Sequence, residues 1–256
     1  MTGWASDRLL RVGRYLFALP LGLFGVQHVI YAHSPDLANI PPHIAGSAAA
    51  AYVYGVVLLA ASVSLVTGWR AKTVAPTFGA VLLLDFLVIH VPRILADIGS
   101  GNLRTRGFET LALAATAFVL GAASGATDPV VERPEPRLPA QAGRLLFAAC
   151  LVQSGVQHFL RFSVIATLVP SWMPARTILA AVAGAGFLTA AVSFGCGRFM
   201  RLSGVLLATM FLIFVASVHA PRVAHDLHDG HQWANLLVPV CLSGAALIFA
   251  AVFSPP

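Results

Sequence analysis

The stretch Gly25-Val26-Gln27-His28 lies in an apolar run and recurs in the second half of the chain as Gly155-Val156-Gln157-His158. Each copy is followed, at a similar distance along the chain, by a second histidine motif. This motif is His90-Val91-Pro92-Arg93 in the first half and His219-Ala220-Pro221-Arg222 in the second. This pattern predicts a chain of two similar halves that each carry one polar cluster.

The composition places these clusters in a membrane protein. Hydrophobic residues make up 58% of the chain and charged residues 10%, and the mean hydropathy is +0.82. This is more apolar surface than one soluble core of this length buries. Apolar runs of about 18 to 24 residues suit a hydrocarbon layer of roughly 30 Å. They predict eight spans, near 9–31, 45–67, 73–94, 107–124, 141–162, 176–195, 199–221 and 232–253.

A charged, proline-rich stretch divides the chain. We predict a first four-helix membrane repeat over residues 1–125, a cytoplasmic linker over 126–140 and a second repeat over 141–256. Basic residues near the span ends number ten on one side and six on the other, which favours cytoplasmic termini. Because four spans precede the linker, the fold class is an all-α integral membrane protein with two parallel four-helix-bundle repeats.

The repeated histidines define the candidate site. Counting along the predicted helices places all four in the outer third of the bilayer, where ionisable groups face protein or a water-filled cavity. We therefore predict one polar pocket per repeat. Its candidate catalytic residues are His28, His90, Arg93, His158, His219 and Arg222. A structural interpretation stays open, because histidine near a helix end can donate to a backbone carbonyl and an arginine can pair with the aspartate four residues later.

Asp85 is a further candidate, inside the third predicted span. A carboxyl group there is costly unless it is protonated or paired. It is either a protonated acid that bonds a neighbouring helix or a proton-handling or cation-binding group. Five positions separate it from His90, about 140° around an α-helix, so we expect the two side chains on different faces. The aligned residue of the second half is Phe214.

The connection before the last predicted span carries His225, His228 and His231 with interleaved acids. Imidazole and carboxylate ligands at this spacing suit zinc or copper. The same residues equally describe a solvated loop, and both interpretations stay open.

Several motifs carry a family resemblance. They are Gly155-x-x-His158-Phe159 in a first helix, Val169-Pro170-x-Trp172-x-Pro174 after it, glycines around Gly184 and Gly186, and a third helix that ends at His219. Together they resemble the DoxX/DoxD group of four-span membrane proteins. The resemblance covers nearly all of the second half and, more faintly, the first, where Ile40-Pro41-Pro42 lacks the tryptophan. The chain thus resembles a tandem fusion of two such units.

The resemblance implies a role near redox enzymes. Members of the group include a subunit linked to thiosulfate oxidation by quinone, and others are membrane partners of redox enzymes. Carried over, His158 and His219, with their counterparts His28 and His90, line a site for a quinone or another small hydrophobic substrate.

Three function classes follow from these observations. The first is a membrane oxidoreductase or redox-partner subunit that holds a quinone, or a haem b with paired histidine ligands. The second is a proton-coupled small-solute transporter. The third is a non-catalytic scaffold for a soluble redox partner. Nucleic-acid binding is not expected, because the net charge of +6 comes from arginines at span ends. Scarce lysine beside abundant alanine, glycine and arginine favours the bacterial inner membrane.

Overall fold

The computed structural model describes residues 2–33, 47–124 and 138–254. Every regular element in these ranges is helical. The helices are α1 (Thr2–Ile30), α2 (Ala48–Thr67), α3 (Ala71–Asp85), α4 (Val91–Ala96), α5 (Gly101–Ala123), α6 (Leu138–Leu160), α7 (Phe162–Leu168), α8 (Arg176–Cys196), α9 (Met200–Phe214), α10 (Ala220–His225) and α11 (Gly230–Val252). A first π-helical segment, Phe86–His90, joins α3 to α4, and a second, Val215–His219, joins α9 to α10.

The prediction of a multi-pass helical membrane protein is confirmed. Seven helical stretches are long and apolar enough to cross a membrane, and the bent pair α6 and α7 brings the number to as many as eight. Two of these stretches, Ala71–Ala96 and Met200–His225, each run through a π segment. The predicted linker lies almost wholly outside the described residues, and so does Ile40-Pro41-Pro42.

The predicted span near 141–162 ends in a sharp break. The chain turns by 96° between α6 and α7, at Arg161. The Arg161 guanidinium donates a hydrogen bond to the carbonyl of Gly99, in the turn between α4 and α5. The apolar side chains of Val164 and Leu168 on α7 are exposed. The apolar run continues past the break, which is why hydropathy alone does not locate it.

The halves pack through each other's helices. Helix α1 packs against α2 and α11, whereas α6 packs against α8 and α5, so the first helix of each half contacts the last helix of the other. Helices α5 and α11 also contact one another. The main buried cluster draws residues from both halves, and it includes the stacked rings of Phe147 and Phe249, whose centroids are 4.6 Å apart. The core is therefore continuous between the halves.

Helix α1 is in close backbone contact with both α11 and α2. Where it crosses α11, a Cβ atom added to Gly244 would lie 2.4 Å from the Phe17 amide nitrogen and 2.6 Å from the Gly13 carbonyl oxygen. Where it crosses α2, a Cβ atom on Gly25 would lie 2.7 Å from the Gly55 carbonyl oxygen. Helices in lipid associate through such small residues, because lipid provides no hydrophobic driving force between them. The second crossing holds the end of α1 that carries His28.

Candidate functional site

Both π segments end at a histidine of the repeated motif, two residues before a proline. In the first, the amide of Val91 donates to the carbonyl of Phe86, five residues earlier, and the second has the same bond pattern. A proline ring clashes with the carbonyl four residues before it and has no amide hydrogen to donate. A wider π turn relieves this clash. Pro92 and Pro221 thus give a physical reason for a π segment at the same place in each half.

The first π segment brings Asp85 and His90 together. The Asp85 Oδ2 atom lies 3.4 Å from His90 Nε2, and both side chains are largely buried. The expectation that these residues lie on different faces was wrong, because it assumed α-helical geometry. In a π turn, residues five positions apart lie nearly above one another. The carboxylate and the imidazole therefore form a dyad on one face of the third span.

Thr110 of α5 completes the contacts of this dyad. Its hydroxyl oxygen lies 3.3 Å from His90 Nε2 and 3.1 Å from the backbone carbonyl of Arg106. A carbonyl only accepts, so the single hydroxyl hydrogen goes to Arg106, and Thr110 accepts from His90. The His90 hydrogen therefore sits on Nε2, where Asp85 and Thr110 are both within reach.

His28 extends the cluster from α1. Its Nδ1 atom donates to the carbonyl of Phe24 at 2.8 Å, and its ring centroid lies 5.1 Å from that of Tyr54. Tyr54 in turn lies within electrostatic range of Asp85. His28 is only 4% exposed, and no hydrogen-bond partner in the described ranges reaches its Nε2 atom. We call the set His28, Tyr54, Asp85, His90 and Thr110 the first-half cluster.

The matching region of the second half is aromatic. His158 repeats the bond of His28, since its Nδ1 atom donates to the carbonyl of Ser154 at 2.8 Å. Its ring, however, lies 5.0 Å from that of Phe187, which is 6.4 Å from Phe214. Phe214 occupies the position of Asp85, so the second half has no carboxylate there. Among the described residues, a histidine–carboxylate dyad exists in the first half alone.

The arginines of the repeated motifs lie on the short helices after the π segments. Arg93 is on α4, and Arg222 is on α10 within electrostatic range of His219. The aspartates that follow them bind backbone amides: Asp97 Oδ1 accepts from Ser100 at 3.0 Å, and Asp226 Oδ1 accepts from His228 at 2.9 Å. These bonds favour a turn-forming role for the aspartates.

The histidines of the last connection, His225, His228 and His231, are exposed. Asp229 caps the first turn of α11 by accepting from the His231 amide at 2.8 Å and the Gln232 amide at 3.3 Å. Within the described ranges, no three histidine, cysteine, aspartate or glutamate side chains group in a way that holds a metal ion. The metal site stays a prediction from the sequence.

Several polar residues inside the predicted spans were not recognised from the sequence as functional candidates. Thr110 and Glu109 lie in the first turns of a predicted span, and Tyr54 lies within another; a polar side chain inside an apolar run was the available signal. Gln157 was quoted as part of a motif without a role. Its Nε2 atom donates to Thr105 Oγ1 at 2.7 Å, which links α6 of the second half to α5 of the first.

An apolar surface groove of about 620 Å³ lies beside the break between α6 and α7. It is lined by Phe159, Phe162, Thr177, Ile178, Ala181, Val182 and Ala185. The lining offers one hydroxyl and no ionisable group, so this groove has none of the chemistry of the first-half cluster.

Comparison with known proteins adds no relative: no family model, no curated protein and no solved structure matches the chain.

Proposed function

We propose that the chain is a DoxX-like redox-partner subunit of the bacterial inner membrane that binds a quinol headgroup at the first-half cluster and accepts its protons. The observation that carries this proposal is the 3.4 Å contact between Asp85 and His90. A carboxylate in contact with an imidazole is an arrangement that general bases use to accept a proton. The quinol is the substrate, and a separate redox protein receives its electrons.

The residues fit a quinol better than a haem. Axial ligation of haem iron by two histidines needs two imidazole nitrogens that are free and face each other. His28 Nε2 has no hydrogen-bond partner within the described ranges, but His90 Nε2 lies 3.4 Å from Asp85 and 3.3 Å from Thr110. These contacts use the nitrogen that iron requires, whereas they suit a group that relays a proton.

The same proposal includes the arrangement of the halves. Two parallel repeats, with cytoplasmic termini and the histidines toward the outer face, account for the matching π segments and for the matching bonds of His28 and His158.

Cysteine labelling tests this orientation with Trp69→Cys and Trp172→Cys, each in a Cys196→Ser background. Both tryptophans are exposed, at opposite ends of the bundle. An impermeant thiol reagent outside the cell should label position 172 alone, and labelling of position 69 alone would reverse the orientation.

Binding in nanodiscs tests the function directly. Under anaerobic conditions, short-chain ubiquinol should bind saturably to the purified chain, and His90→Ala should weaken that binding. The matched control is His219→Ala, which alters the aligned histidine of the second half. Absence of saturable binding to the unmodified chain would reject the proposal. Equal losses in the two variants would reject the assignment to the first half.

A proton-coupled carrier is the second candidate, because the buried dyad lies inside a predicted span. A carrier needs a polar route to the opposite end of the bundle. There, the Ser64 hydroxyl donates to the Trp69 carbonyl, and the Thr116 hydroxyl donates to the Ala112 carbonyl, so these groups already have partners. Proton-driven solute flux in proteoliposomes that is lost in Asp85→Asn would favour the carrier over the quinol subunit.

A further inference from the structure

The tautomer of His28 is set by its backbone partner. The Phe24 carbonyl accepts at 2.8 Å from Nδ1, so the ring hydrogen is on Nδ1. No carboxylate of the described chain pairs with this ring, and a buried imidazolium without a counter-ion is costly. The ring is therefore neutral, and Nε2 carries a lone pair.

That lone pair has no donor among the described residues. His28 Nε2 is buried, and no hydrogen-bond donor in the part of the chain that the structure describes reaches it. An unpaired acceptor inside a protein costs free energy that a bound donor recovers. The neighbouring ring of Tyr54 is packed at 5.1 Å between centroids, a ring contact that provides no donor to this nitrogen.

We infer that His28 Nε2 accepts a hydrogen bond from a hydroxyl group of the ligand, so that the site selects the reduced, hydroxyl-bearing form of a quinone over the oxidised form. This inference rests on the proposed function and specifies which redox state binds. A quinol O–H donates to Nε2, whereas a quinone carbonyl presents a second lone pair to it. His28 is then a specificity-determining residue, and the Asp85–His90 dyad is the proton acceptor.

The second half provides a natural comparison. His158 has the same Nδ1 bond to a carbonyl, yet its ring packs against Phe187, and Phe214 stands where the first half has Asp85. A buried Nε2 atom without a described partner is thus found at His28 and not at His158, so we expect selection by redox state in the first half.

Affinities of the full chain in nanodiscs test the inference. Short-chain ubiquinol and the matching ubiquinone are titrated separately under anaerobic conditions. We expect the quinol to bind at least about tenfold more tightly, which corresponds to one unpaired buried acceptor. His28→Phe should remove most of this preference, because the quinol loses its acceptor and the quinone no longer faces a lone pair. His158→Phe, the matched control, should keep it.

The outcomes separate the two proposals. If neither compound binds, the proposed function fails. If both bind the unmodified chain with equal affinity, the proposed function stands and the selection by His28 is wrong. Because this comparison uses the unmodified chain, it holds even if His28→Phe does not fold. A preference that survives in folded His28→Phe would also overturn the inference.

Discussion

Asp85 and His90 are five residues apart in the chain, yet the carboxylate oxygen of one lies 3.4 Å from the ring nitrogen of the other. An α-helix turns residues at this spacing away from each other. The π segment between them removes that offset, and Pro92 follows it at the point where an α-helical hydrogen bond cannot form. Pro92 thus builds the dyad through its effect on the backbone.

Pro92→Ala should separate function from stability. Alanine restores a regular helix, which rotates Asp85 away from His90, so quinol affinity should fall by about tenfold or more. The thermal midpoint should stay level or rise, because proline inside a helix is costly. Titration and thermal unfolding in the same nanodiscs measure both. Pro221→Ala is the control, since it changes the second π segment alone; equal effects of the two variants on affinity would contradict this account.

Asp85→Asn should remove the proton acceptor and keep the fold. With ferricyanide as an artificial acceptor in place of the redox partner, the rate of quinol oxidation should fall by about 100-fold, within the usual contribution of a general base. Stability should change little, because the amide oxygen of the asparagine can still accept a hydrogen bond from His90 Nε2. Phe214→Leu, at the aligned position, is the control. A rate for Asp85→Asn within about twofold of the unmodified chain contradicts a role in proton transfer.

Part of this structure could be predicted from the sequence. Hydropathy located the membrane helices because burial in lipid requires long apolar runs, and the internal repeat identified His28 and His90. The contact between Asp85 and His90 could not be predicted from α-helical periodicity, since the π turn changes that periodicity.

Contacts between helices were harder to predict than the helices themselves. Tyr54 and Thr110 join the cluster from α2 and α5, and nothing in their local sequence states which neighbour they meet. The packing of α1 on α11 likewise could not be predicted. Glycines such as Gly13 and Gly244 permit a close approach of two helices, but they do not indicate which helix packs there.

Gly244→Ala tests the contact between the halves. The added Cβ atom would meet the Phe17 amide nitrogen at 2.4 Å, and backbone cannot move aside as a flexible side chain can. We expect a loss of about 1–3 kcal/mol in the free energy of unfolding, as for other overpacked sites. Gly195→Ala is a matched control on α8, with no atom within 4 Å of its added Cβ. Denaturation in mild detergent should give a lower unfolding midpoint for Gly244→Ala than for Gly195→Ala. Equal midpoints for the two variants would contradict a close contact between α1 and α11 at Gly244.

Gln157→Leu tests whether the second half supports the site in the first. The Gln157 side chain accepts from Gln153 at 2.8 Å and donates to Thr105 at 2.7 Å, and Thr105 lies on the helix that carries Thr110. Loss of these bonds should lower the free energy of unfolding by about 1 kcal/mol. The Gln157→Leu substitution should also weaken quinol binding, because Thr110 is then held less firmly against His90.

The control for this prediction is Gln27→Leu, at the aligned position of the first motif. In the second half, Ala234 aligns with Thr105 in sequence. Alanine has no hydroxyl group with which Gln27 could form the equivalent hydrogen bond. If both variants bind quinol as the unmodified chain does, the cross-half bond contributes to stability alone and does not position Thr110.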